Sequence, residues 1–437
     1  MAADVITIGS QRYVRTQVQT HPAEALIAQR HCKPCGEGAV LGWLESDLET
    51  LTTTVRFYLI DKQGVPRTTP LGPQPDPDRV LDWRACCIDD RVWLFWRAWW
   101  DDAIYGQAFD DEGAPLMPPI DITGQQEFGD AWDVVCGRGR IAVVFESYST
   151  PENISMRVLA SDGAFLSDVV PFASAGFPPR LTWLLGGAVR PNGALLCLSL
   201  RFPSSTTRRT MIGPTDINYA IGPAHPIGAE NATGWGVWTL SDGSHGVATA
   251  YGTPDILEIH RVDDLGQPVA PIVTALIDDL GIPHLLPDGS AVVWQRFGAG
   301  RVPATWVDPS GAVIASVADI TRPEVMPLRS GAVTKVSDDG TVWALFQDVQ
   351  QFLPYGAWYL TILRPIPTVS GDMDADGALT NFDIDPFVMA LVDREAYLAA
   401  NPHTTSAVVD LLGDMNGDGL LNNFDIDPFV DALVNGP

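Results

Sequence analysis

Two stretches of this 437-residue chain place oxygen-bearing side chains at alternate positions and then turn abruptly apolar. The first is GDMDADGALTNFDIDPFVMALV, Gly371–Val392, and the second is GDMNGDGLLNNFDIDPFVDALV, Gly413–Val434. The copies agree at 17 of 22 positions. A calcium loop of the EF-hand type takes oxygens from loop positions 1, 3, 5, 7, 9 and 12, with glycine at 6 for the sharp turn. The first copy offers Asp372, Asp374, Asp376, the carbonyl of Ala378, Thr380 and Asp383, with Gly377 at the turn. The second offers Asp414, Asn416, Asp418, the carbonyl of Leu420, Asn422 and Asp425, with Gly419 at the turn. A hard cation wants about six to eight oxygens, and these loops supply them without Cys or His. One such match could be a solvated turn; two, each followed by the same helix start, point to two Ca²⁺ ions.

Each loop runs into a predicted helix. Pro386 and Pro428 fall in the first turn, where a missing N–H is tolerated. Phe387, Val388 and Leu391 recur at helical spacing, as do Phe429, Val430 and Leu433. Asp383 and Asp425 would serve both as last ligand and as a negative charge near a helix N-terminus. Ahead of the first loop, LRPIPTVS holds two prolines, so no entering helix precedes it. A further helix is expected around Arg394–Ala400. Loop plus exiting helix, duplicated over 367–437, resembles a dockerin module. The resemblance implies a small α-helical domain that docks its parent onto cohesin domains of extracellular scaffolds, in either of two orientations. Dockerins often carry small hydroxyl residues at loop positions 10 and 11. Here those positions are Asn381–Phe382 and Asn423–Phe424, which become the expected docking surface, so the calcium sites carry over better than the partner, a cohesin-like or other surface scaffold protein.

The remainder of the chain must present this module. A phrase of strand, Asp-x-x-Gly or a close variant, and strand recurs with glycines at Gly64, Gly113, Gly163, Gly266 and Gly311, and TMIGPTDI with Gly213 fills the gap. The intervals run from 45 to 53 residues. Each period holds four strand-like runs, which is the signature of a propeller blade. The fold expected for 1–366 is therefore mostly β, a seven-bladed β-propeller of four-stranded antiparallel blades. The last blade stops after three strands, and Val5–Gln17 is expected to supply its outer strand and cover the open edge.

Aligning the repeats places Cys35, Cys87 and Cys136 at one position, occupied in later repeats by Val189, Leu240, Leu286 and Val336. An apolar site favours buried, free thiols. For Cys32 and Cys35 of CKPC, a zinc half-site, a redox pair or a local disulfide are the alternatives.

Function of the propeller is less legible. WRAWWDDAIY sets Trp96, Trp99, Trp100, Asp101 and Asp102 at or beside a strand-to-strand loop, an aromatic and carboxylate mixture suited to a glycan; the alternative is that these rings pack between blades. SDDGTVW, Ser337–Trp343, loosely resembles the Asp-box turn of sialidase-type propellers, a structural turn. Glu146 and Asp348 fall at similar strand ends as a possible carboxylate pair. No nucleophile elbow, zinc-protease motif or phosphate loop occurs, so catalytic residues stay unknown. A net charge of −27 repels phosphate backbones and excludes nucleic acid as the natural partner. No run of 18 apolar residues exists, so no transmembrane segment is expected. MAADVITIGSQRYV lacks signal-peptide features, which leaves a cytoplasmic location open. The expectation is nonetheless an extracellular or cell-surface, noncatalytic binding and assembly protein. The runner-up is a carbohydrate-active enzyme, a glycoside hydrolase or sialidase-like propeller, with the same appendage.

Overall fold

The computed structural model describes residues 2–8, 11–21, 27–35, 38–47, 52–61, 65–74, 79–99, 103–124, 128–147, 154–171, 180–190, 193–201, 208–215, 225–252, 255–277, 280–295, 302–317, 320, 333–336, 341–347, 358–366, 369–373, 379–401 and 406–435. Their strands form a β-propeller of seven antiparallel sheets. Sheet two is typical: Val80–Ile88, Arg91–Ala98, Ile104–Phe109 and Ile120–Asp121 pair in chain order. The first strands of successive sheets neighbour one another around a ring, and the strand Val333–Val336 of sheet seven returns to Ile27–Cys35 of sheet one.

The repeated Asp-x-x-Gly phrase is the turn from the third strand to the fourth. Asp110 Oδ1 accepts the N–H of Glu112 at 3.1 Å and of Ala114 at 2.7 Å. Asp263 does the same for Leu265 and Gln267, and Asp308 for Ser310 and Ala312. The glycines of these turns stand at φ of +84°, +77° and +92°, a region that residues with a Cβ enter at a cost. Gly213 departs from the pattern: it lies inside the strand Arg208–Pro214, opposite Leu196. Gly64 lies outside the described residues.

Two sheets depart from four strands. Among the described residues sheet one has three, Ile27–Cys35, Gly38–Asp47 and Thr52–Ile60, with Leu71 exchanging both backbone hydrogen bonds with Phe57 and Arg67 donating to Leu59. Sheet seven has five. The run expected as one strand over 5–17 is a hairpin, Ala2–Ile8 paired with Gln11–His21, and the second of these pairs with Trp358–Pro365.

The apolar runs are explained by burial on both faces of each sheet. Val92, Leu94 and Trp96 pack against Val40, Leu44 and Phe57 of sheet one, whereas Trp93 and Phe95 pack against Trp132, Val143 and Phe145 of sheet three. Successive residues of a strand point to opposite faces, so a strand between two sheets needs no polar alternation.

The same alternation corrects the reading of the cysteines as free core thiols. Cys87 bonds to Cys35 of sheet one, and its neighbour Cys86 bonds to Cys136 of sheet three. Their separations, 52 and 50 residues, are each one repeat. Cys197 stays a buried thiol, and burial pushes its pKa up to about 12. The side chain of Cys32 lies outside the described residues. Replacing Cys35 or Cys86 by Ser is expected to lower unfolding free energy by about 2–4 kcal/mol each. Urea titrations of the variants, and of the native chain with and without reductant, measure this.

Candidate metal centre and docking face

The second acidic loop is described throughout. Asp414 organises it: Oδ1 accepts the N–H of Gly417 at 2.8 Å and of Asp418 at 2.9 Å, and Oδ2 that of Gly419 at 2.7 Å. Asn416 Oδ1 accepts the Asp418 N–H, and Asp418 Oδ1 the Leu420 N–H. Gly417 and Gly419 take φ of +81° and +92°. The Asn416 and Asn422 amides face the Asp418 carboxylate at 3.3 and 3.1 Å, and the Asn422 amide also reaches the Leu420 carbonyl at 3.2 Å. The Asn422 amide, followed by the Leu420 N–H, holds the Asp418 carboxyl below the usual carboxylate range. The expected donors Asp414, Asn416, Asp418, Leu420 and Asn422 thus lie on one exposed turn. Their oxygens suit a hard cation, since turning an amide over exchanges its NH₂ for an oxygen.

Asp425 does not join them. It is buried, with Oδ1 accepting from Met415 and Asn416 N–H and Oδ2 from Asn422 N–H. It clasps the loop to a single 3-10 turn, Asn423–Asp425, that leads into the helix. Asp383 does the same in the first copy, accepting from Met373 at 2.6 Å and Thr380 at 2.8 Å. Among the described residues no three acidic, His or Cys side chains stand close enough to hold a metal. Of the other first-loop ligands, Asp372 is buried and Thr380 caps the 3-10 turn, while Asp374, Asp376 and Ala378 lie outside the described residues.

Four helices frame the loops: α1 (Ile384–Val392), α2 (Arg394–Ala400), α3 (Ser406–Gly413) and α4 (Ile426–Asn435). Equivalent residues of the two copies meet at the centre, where Phe387 of α1 stacks on Phe429 of α4 at 4.0 Å between centroids. Tyr397 of α2 donates its hydroxyl to the Met373 carbonyl at 2.6 Å. Arg394 binds Asp410 of α3 at 2.6 Å. The outward face is duplicated too. Phe382 and Phe424 are each 78% exposed, and Val388 and Val430 each 50%. Asn381 and Asn423 begin the two matching 3-10 turns.

The propeller residues separate. Trp96 is only 2% exposed and stacks on Tyr105, so it belongs to the core and not to a ligand face. Trp99 is 54% exposed. Trp100, Asp101, Asp102 and Asp348 lie outside the described residues, and with them the rest of the aromatic cluster and the partner expected for Glu146.

Two polar clusters had no signal in the sequence, because their members come from different strands. Arg84 bridges Asp82, at 2.6 Å, to Asp133 of the next sheet, at 3.2 Å, and lies over the Trp132 ring. Thr249, Glu258 and His260 are buried and mutually within 3.1–3.2 Å. Burial pushes the His260 pKa down against the pull of Glu258. A Cβ on Gly228 would come within 2.6 Å of Thr249 Oγ1, so backbone closes over this cluster, whose members sit on the paired strands His245–Tyr251 and Ile256–Val262 of one sheet.

No protein-family model matches the chain, and no curated protein does. Solved structures are similar to this chain at low identity. Polysaccharide lyase Uly1 is 7% identical with a TM-score of 0.49, over 79% of this chain and 91% of its own. The β-propeller domain of the Trilobed protease from Pyrococcus furiosus is 10% identical with a TM-score of 0.47, over 77% and 94%. Puromycin hydrolase is 14% identical with a TM-score of 0.47, and the match spans 76% of this chain but 54% of that one.

Trp96→Ala should cost about 3–5 kcal/mol of stability, the scale for a buried large aromatic. Trp99→Ala should change it by no more than about 0.5 kcal/mol. Denaturant titrations of the two variants separate core from surface. Tyr397→Phe leaves the buried Met373 carbonyl without this donor and should destabilise the helical module by about 1–3 kcal/mol.

Proposed function

We propose that this chain is an exported, noncatalytic binding and assembly protein. A seven-bladed recognition propeller, taking each sheet as one blade, would be carried on a dockerin-like module that holds two Ca²⁺ ions and docks onto a surface scaffold. The observation that carries this reading is the second loop. Its donors are all oxygen-bearing, its two glycines are in left-handed conformation, and its pattern of donor positions occurs twice. In the bound state Asp414, Asn416, Asp418, the Leu420 carbonyl and Asn422 would hold the ion, and the first loop would use its equivalents. The ion supplies positive charge that relieves repulsion among the loop carboxylates.

Docking would use the two equally exposed phenylalanines with the valines beside them. Residues 367–437 carry thirteen Asp and Glu against one Arg, which favours a partner surface with apolar pockets and a basic rim. The two disulfides support an oxidising, extracellular or cell-surface location. Among the described residues no helix is long and apolar enough to cross a membrane. A glycan ligand for the propeller, with or without hydrolysis, rests on exposed Trp99 and is the second reading.

Titration calorimetry should find two bound Ca²⁺ per chain, and Asp418→Asn together with Asp414→Asn should remove one. A stoichiometry of zero overturns the calcium reading. Glycan arrays with the native chain and with Trp99→Ala test the second reading.

A further inference from the structure

We propose that the C-terminal module is a calcium-controlled latch on the strand that closes the propeller. The proposal rests on the calcium reading above. The closing strand Gln11–His21 presents alternate residues to two different cores. Tyr13 faces the propeller and joins Trp294, Val302, Trp306, Val342 and Leu363. Val14 faces the other way and is buried with Met373, Phe387, Tyr397, Leu412, Leu421 and Phe429 of the module. Ile366, just beyond the partner strand Trp358–Pro365, enters the same cluster. Helix α3 also touches the outer strand Ala2–Ile8. The hairpin is therefore held between propeller and module.

The acidic loops themselves build this second core. Met373 and Leu421 are buried members, and Leu379 and Met415 pack against them. These are positions 2 and 8 of the two loops, the same pair in each copy. The N–H groups of Met373 and Met415 are fixed by Asp383 and Asp425, which clasp each loop shut. A loop opened by repulsion among its carboxylates would withdraw its Met and Leu and uncover Val14 and Ile366. The hairpin would then keep only one of its two apolar supports. Linkage makes the effect reciprocal, so a docked hairpin must raise calcium affinity by the same factor.

Hydrogen exchange on the full chain, with calcium and with chelator, tests this alongside titration calorimetry. In chelator, amides of Gln11–His21 should exchange faster by a factor in the range of about 5 to 150, while those of Arg140–Ser147 in sheet three should not change. Val14→Ala should shrink that difference and weaken calcium binding; Ile366→Ala is the second variant should the first fail to fold. Two bound ions with unchanged hairpin exchange would overturn the latch and leave the calcium sites standing. No bound ion overturns both.

Discussion

Everything in the propeller depends on one pairing between segments more than 300 residues apart. Gln11–His21 adds to Trp358–Pro365, with Tyr13 opposite Pro365 and Thr16 opposite Ile362. Without it, sheet seven ends at an open strand edge, and a ring with an open edge invites pairing with other chains. The loop-closure cost of such a contact grows only slowly with length, so a ring can be sealed this way once its sheets are stacked. Bringing in a hairpin and not a single strand moves the sheet edge outward to Ala2–Ile8, whose Ile8 is still buried in the propeller core.

The stacked sheets supply most of the burial. Each central strand is covered on both faces, which is why Val92 to Trp96 are apolar without interruption. That arrangement leaves little discrimination between faces from composition alone, and the disulfides add it for three neighbouring sheets. Adjacent cysteines on one strand reach in opposite directions and link sheet two to both its neighbours. The Arg84 bridge between Asp82 and Asp133 crosses the second of these junctions again.

The helical module solves a different problem, since two copies of about twenty residues cannot each bury a core. They share one. Phe387 and Phe429 stack across the pseudo-symmetry axis, and the residues between the copies contribute Tyr397, Val408 and Leu412. Gly371 shows how close the copies come, because a Cβ there would meet Leu379 at 2.9 Å and Met415 at 3.2 Å. Sharing the core inward leaves matching apolar residues outward on both copies, and the module draws Val14 and Ile366 of the propeller into the same cluster.

By itself the sequence determined the elements and their repetition. The Asp-x-x-Gly turns, the period near fifty, and the helix starts after each acidic loop follow from local chemistry: a carboxylate that bonds its own turn, a glycine that accepts positive φ, an apolar period. The helix Arg394–Ala400 was legible for the same reason. Tertiary structure decided whatever depended on which face a residue took. Trp96 and Trp99 are three apart in one tryptophan-rich run, yet one is core and the other surface, because the strand ends between them. Cys35, Cys87 and Cys136 looked like buried apolar positions, because pairing partners one repeat away become neighbours only when the sheets stack. Asp383 and Asp425 match a ligand pattern by spacing, and folding also turns their carboxylates to backbone N–H groups, an orientation set by burial that no spacing records.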